Sequence, residues 1–164
     1  MRTTDIQKIS EVLKQVCDPE IPVLSVTDMG IVREIGVIGE EVVVSITPTY
    51  NGCPAMDMIA VNIKAALQEA GFPSVRIELV WQPAWTTDMI TANGRNKLLE
   101  YGIAPPENET GDKMTLFGET AMVPCPRCNS NHTELVSQFG STACKAMYKC
   151  TDCKEPFDYF KCHR

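Results

Sequence analysis

Four of the eight cysteines fall into two pairs, Cys125–Pro126–Arg127–Cys128 and Cys150–Thr151–Asp152–Cys153. A C-x2-C loop turns tightly enough for both sulfurs to reach one ion, and two such loops complete a tetrahedral four-thiolate shell. The intervening stretch, residues 129–149, is one residue longer than the usual zinc spacing, an excess that a hairpin absorbs. About forty residues cannot build a sufficient apolar core alone, so a structural metal explains how this tail folds. The spacing therefore predicts one structural Zn2+ per chain on Cys125, Cys128, Cys150 and Cys153. A mononuclear iron site has the same geometry, and a redox disulfide pair is a further alternative. Ligand softness alone does not separate zinc from iron.

Two tail thiols are left over. Cys144 lies inside the hairpin sequence FGSTACKAMYKC and Cys162 beside His163. Either they pack as small apolar residues, or they exchange with the metal, or they form a labile second site. His132 reads as a loop residue, because the shell is already full.

Cys53 stands apart, in TPTYNGCPAMD, directly before Pro54. Proline suits the first helical position, where its missing N–H costs nothing. Cys53 then sits at or next to a helix N-cap, facing unpaired N–H groups and the positive end of the dipole. That field favours thiolate, the form that attacks or binds a soft metal. Asp57, one turn into the helix, would oppose it. The alternative is a small half-buried residue fitted to a tight strand-to-helix turn. Asp18 and Glu20 flank a proline, where carboxylates commonly hydrogen-bond the turn rather than act as acid and base.

The elements that must place these residues are legible in the apolar periodicity. Thr4–Asp5–Ile6–Gln7 reads as a capping box, and Ile6, Ile9, Val12, Leu13 and Val16 share one helical face. The prolines of Asp18–Pro19–Glu20–Ile21–Pro22 end that helix. GIVREIGVIGEEVVVSIT follows as two Val/Ile-rich strands around Gly39–Glu40. After Pro54 the period becomes 3.6, with Met56, Ile59, Ala60, Ile63, Leu67 and Ala70 on one face, closed by Gly71 and Pro73. SVRIELVW is a third strand, so 41–47, 54–70 and 75–81 form a right-handed βαβ unit. A shorter helix over 88–101 is weakened by Gly94 and ended by Gly102. Trp81 and Trp85 are core or interface anchors, with the interface favoured for Trp85.

The domain organisation expected from this is an α+β domain over residues 1–103, a polar linker over 104–119 and a ribbon over 120–164. With 44% hydrophobic residues the chain has ordinary globular composition. No apolar run reaches the roughly 18 residues of a membrane span, and the start lacks the apolar core of a signal peptide. A cytoplasmic protein is expected, with no membrane partner, and eight cysteines there serve metal or reactive thiols rather than disulfides. Residues 125–164 carry six Lys/Arg against four Asp/Glu, and the rest of the chain nine against seventeen. An acidic body with so small a basic surplus in the tail does not suit nucleic acid. Phosphate loops and triad signatures are missing, so an enzyme has little support.

Two blocks carry a resemblance. DPEIPVLSVTDMGIVREI with TPTYNGCPAMDMI resembles the MIP18-type (DUF59) domain, associated with iron–sulfur protein assembly. Together with QPAWTTDMI and FGSTACKAMYKCTDCKEPFDYFKC, nearly the whole chain resembles the PaaD (PaaJ) family, accessory components of multicomponent phenylacetyl-CoA 1,2-epoxidases. That resemblance implies a compact α+β MIP18-type domain with a small mixed sheet, then a four-cysteine zinc ribbon. It implies a non-catalytic role in phenylacetate degradation, through iron–sulfur maturation of the epoxidase reductase. It also gathers Asp18, Glu20, Thr47 and Cys53 as a thiol site handling iron or a cluster transiently. The alternative is a structural subunit of the oxygenase without metal transfer. The partners expected are a client iron–sulfur protein or oxygenase components, with homo-oligomerisation open.

Overall fold

A computed structural model describes residues 3–106 and 122–161 of the chain. The chain divides into two compact units, Met1–Trp85 and Thr86–Arg164.

In the first unit, α1 (Thr3–Leu13) buries Ile9 and Leu13 completely. The capping bonds expected of Thr4 fall outside the described side chains. Strands β1 (Val32–Ile38) and β2 (Glu41–Ile46) pair antiparallel around Gly39, whose φ of 63° suits the reversal. Helix α2 (Ala55–Glu69) then returns the chain so that β3 (Ser74–Leu79) pairs parallel with β2, from Glu41↔Ser74 to Ile46↔Leu79. The sheet order β1-β2-β3 is thus mixed. Helix α2 buries Met56, Ile59, Ile63 and Leu67, the period-3.6 face, and its neighbours are β3 and α1, while β2 is a near-continuous buried apolar run. The helix stops at Gly71, φ 97°, where the Phe72 N–H turns back to the Leu67 carbonyl at 3.0 Å.

Between α1 and β1 the chain is irregular yet buried at Ile21, Leu24, Val26, Met29 and Ile31. Buried irregular backbone needs partners for its polar groups, and side chains supply some of them. Asp18 Oδ1 accepts the N–H of Glu20 at 2.7 Å and of Ile21 at 3.0 Å. The Ser25 hydroxyl donates to Asp28 Oδ2 and accepts the Asp28 N–H, both at 3.1 Å. Trp85 also closes this layer. It is 2% exposed and its Nε1–H donates to the Met29 carbonyl at 2.9 Å. Trp85 is therefore a core residue rather than the interface anchor expected, and Trp81, half exposed, is the one turned outward.

The second unit contains a 3-10 turn (Thr87–Met89), α3 (Ala92–Tyr101), β4 (Ile103–Ala104), β5 (Thr133–Ser137), β6 (Lys145–Cys150) and β7 (Pro156–Phe160). Its sheet order is β4-β7-β6-β5. The Thr91 side chain caps α3 by accepting the Gly94 N–H, and Gly102 ends it at φ 89°. The chain then passes directly into β4, which pairs parallel with β7 through Ile103↔Asp158 and Ala104↔Tyr159. This pairing places residues 92–104 with the ribbon sheet, ahead of the 103/104 boundary read from composition. Residues 107–119 of the expected linker lie outside the described residues. The unit's core is Ala104, Val123, Ala146, Tyr148, Phe157 and Tyr159 together with Cys125 and Cys150.

Candidate functional site

The two C-x2-C turns are built alike. Each ends on a residue in left-handed conformation, Asn129 at φ 59° and Lys154 at φ 66°. In the first the Asn129 N–H returns to the Cys125 carbonyl at 2.8 Å, and in the second the Cys150 N–H reaches the Glu155 carbonyl at 3.0 Å. Strands β5 and β6 bring the turns together, with Thr133 opposite Cys150.

The four sulfurs converge. Cys125 Sγ lies 3.7 Å from Cys153 Sγ, Cys128 Sγ lies 3.6 Å from Cys150 Sγ, and all four fall within 4.8 Å of one another. Zn–S bonds of about 2.3 Å at the tetrahedral angle give sulfur–sulfur edges of about 3.8 Å. A disulfide needs about 2.05 Å, and all four cysteines are free thiols. The spacing of the sulfurs fits a tetrahedral ion.

Backbone donors complete the shell. The Cys153 N–H, with that of Asp152, points at Cys150 and pulls its thiol down to about 7. At Cys128 the Ser130 N–H acts in the same sense, but burial and the neighbouring sulfurs push the thiol up to about 12. Four thiols this close cannot all ionise without a cation among them, and a divalent ion removes the conflict. His132 stays outside the group, exposed, with Nδ1 3.1 Å from Asp152 Oδ2. Cys144 is buried, 3.1 Å from the Thr142 hydroxyl, and does not join the sulfur cluster. Cys162 lies outside the described residues.

Cys53 is half-buried in the turn that leads from β2 into α2. Its own N–H reaches the Tyr50 carbonyl at 3.4 Å across Gly52, φ 79°, and Pro54 takes the N-cap position. The thiol's pKa is raised, contrary to the expectation from the helix dipole. Burial is the largest influence and outweighs the Ala55 N–H and the Tyr50 hydrogen bond, both of which favour thiolate; the charges of Glu20 and Asp18 raise it further. The opposing carboxylates thus come from the bend after α1, where the sequence pointed to Asp57. The structure brings Asp18 and Glu20 into electrostatic reach of the sulfur. Thr47, fully buried one residue past β2, holds the strand end through its N–H on the Ile31 carbonyl at 2.8 Å.

Tyr50 is the contact that sequence reasoning missed. The Asn51–Gly52 turn signal was the clue, since a tight turn sets its first residue beside its fourth. Among the described residues, only the four ribbon cysteines form a group of three or more that can hold a metal. Cys17, half-buried in an isolated bridge to Ser25, belongs to neither site.

Fold and sulfur geometry together define a class, a small mixed α+β domain joined to a four-cysteine β ribbon. Residues 6–79 match the family of iron–sulfur cluster assembly proteins and residues 109–161 the PaaD zinc beta ribbon domain. The chain belongs to the PaaD family. It is 48% identical, over 96% of its own length and 93% of the relative's, to an Escherichia coli K12 protein whose name makes it one of the subunits of 1,2-phenylacetyl-CoA epoxidase. It is 34% identical to an Fe-S protein maturation auxiliary factor of Porphyromonas gingivalis, over 58% of this chain and 90% of that one. The crystal structure of a DUF59 domain from Bacillus anthracis superposes with a TM-score of 0.52 at 24% identity, over 56% of this chain and 89% of that one, a likeness of fold. No helix among the described residues is long and apolar enough to cross a membrane.

Proposed function

We propose that this protein is a non-catalytic accessory factor of a phenylacetyl-CoA 1,2-epoxidase system, maturing the iron–sulfur centre of the reductase component in aerobic phenylacetate degradation. The observation that carries the reading is the joining, in one chain, of an iron–sulfur assembly domain and a PaaD ribbon. The ribbon quartet Cys125, Cys128, Cys150 and Cys153 holds one structural Zn2+, closed to substrate because all four positions are sulfur.

Cys53 is the thiol that meets the cargo. Kept protonated by burial and by Glu20 and Asp18, it gives up its proton only when a soft cation arrives, and the two carboxylates attract that cation. A single sulfur ligand holds iron weakly, which suits transit rather than storage. In the test, the reductase is produced with the wild-type chain or with Cys53→Ser, and its cluster is quantified by iron content and visible absorption. Loss of cluster with Cys53→Ser is expected, and full occupancy with normal reductase activity removes the thiol from the mechanism.

A second reading, a structural subunit without metal transfer, is favoured by one observation. Cys53 does not sit in a group of three or more metal-capable side chains among the described residues. Stoichiometric co-purification with the oxygenase, unchanged in Cys53→Ser, would support that reading.

A further inference from the structure

The outer face of the second sheet carries a cleft that neither sulfur site uses. Register sets Ile103, Asp158 and Met147 side by side across β4, β7 and β6. The left-handed turn at Gly102 swings Tyr101 over one side, and Pro156 closes another. The space is about 310 Å3, at the lower end of the small-ligand range.

Facing it is an ion pair with most of its bonding capacity unused. The Lys145 side chain is 9% exposed and its Nζ lies 3.5 Å from Asp158 Oδ2, its one ion-pair partner among the described residues. An ammonium has three donors and a carboxylate about four acceptor sites, so both groups retain unused capacity at the cleft. Gly140 keeps room for them: a Cβ there would lie 3.2 Å from Asp158 Oδ1 and 3.3 Å from Lys145 Cβ.

We infer that this cleft is a docking site for a protein partner, which sets an Asn or Gln carboxamide across the Lys145–Asp158 pair, its oxygen on Lys145 and its nitrogen on Asp158. The chemistry selects this group. A carboxylate meets Asp158 and a cation meets Lys145, each at a like-charge cost. A hydrocarbon would strip water from both groups and return no hydrogen bond. A carboxamide presents an acceptor oxygen and a donor nitrogen side by side. The occupant is a polypeptide because apolar surface continues past the cleft, through Met147 at 38% exposure and Val136 in the bulge of β5 at 54%. A neighbouring apolar side chain of the partner covers it.

The test uses the zinc-loaded full chain and two peptides, acetyl-leucyl-glutamine methylamide and its glutamate counterpart, titrated by 15N NMR. Saturable shifts are expected at residues 101–103, 145–147 and 157–158, with the glutamine peptide about tenfold tighter than the glutamate peptide. Asp158→Asn should reverse that order, since Lys145 then faces no competing anion. Lys145→Met, with zinc content and amide dispersion as folding controls, should abolish binding of both. No saturable shift, a glutamate peptide bound as well as glutamine by the native chain, or a glutamine preference that survives Asp158→Asn overturns the inference.

Discussion

At the scale of single residues, the same element, sulfur, is tuned in opposite directions. The ribbon thiols are aimed at one another, close enough to share one cation. Cys53 is kept protonated, with burial first and the charges of Glu20 and Asp18 adding to it. Because the folded-state pKa is raised, the stability it contributes is present below the unfolded thiol value and fades as pH rises through the folded one. Alkylation of Cys53 by iodoacetamide, followed against pH by site-resolved mass spectrometry, should therefore reach half-maximum above the ordinary thiol range. Glu20→Gln removes one opposing charge and should move that midpoint down, speeding labelling at mildly alkaline pH. An unmoved or raised midpoint would show that Glu20 does not act on the sulfur. The quartet was legible in the sequence because its geometry is local, two tight loops of fixed spacing. The protonation of Cys53 was not, because it is set first by burial and then by charges from a bend more than thirty residues upstream, and spacing carries no record of either.

At the scale of elements, periodicity read β2, α2 and β3 to within a few residues, because each is long enough to repeat its pattern. Strand β4 escaped. Two residues cannot alternate visibly, and Ile103–Ala104 forms a strand only because the edge of β7 offers it unpaired backbone. Its position depends on the end of α3, where Gly102 adopts φ 89° and an added Cβ would meet no atom within 4 Å. Any cost of Gly102→Ala is therefore conformational, about 1 kcal/mol in the left-handed region. Thr91→Ala at the other end loses the cap on Gly94 and should cost a similar amount, about 1 kcal/mol. Urea unfolding followed by signals from the second unit measures both. If Gly102→Ala proves neutral, the turn into β4 relaxes without a left-handed residue and does not determine where β4 pairs.

At the scale of the whole molecule, the two units rest on different physics. The first has an apolar interior of ordinary kind, with Ile9, Leu13, Val44, Ile46, Ile63 and Leu67 all at 0% exposure. The second builds its interior around sulfur, Cys125 and Cys150 standing among Tyr148, Phe157 and Tyr159. A structural zinc site in a small peptide contributes about 10–16 kcal/mol, as much as the whole net stability of about 5–15 kcal/mol typical of a domain. Withdrawing the ion should therefore unfold the second unit outright, whereas the described residues of the first hold no cluster of three or more metal-capable side chains. Treating the full chain with a thiol-directed mercurial and a chelator should release one Zn2+ per chain. Amide dispersion should collapse for residues 122–161 and persist for β1, β2, β3 and α2. Thiol reductant with one equivalent of zinc should restore it. Release of iron instead would reassign the metal while leaving the shell intact. Simultaneous loss of both units would mean that the apolar interior of the first is insufficient alone, and that the ion supports the entire chain.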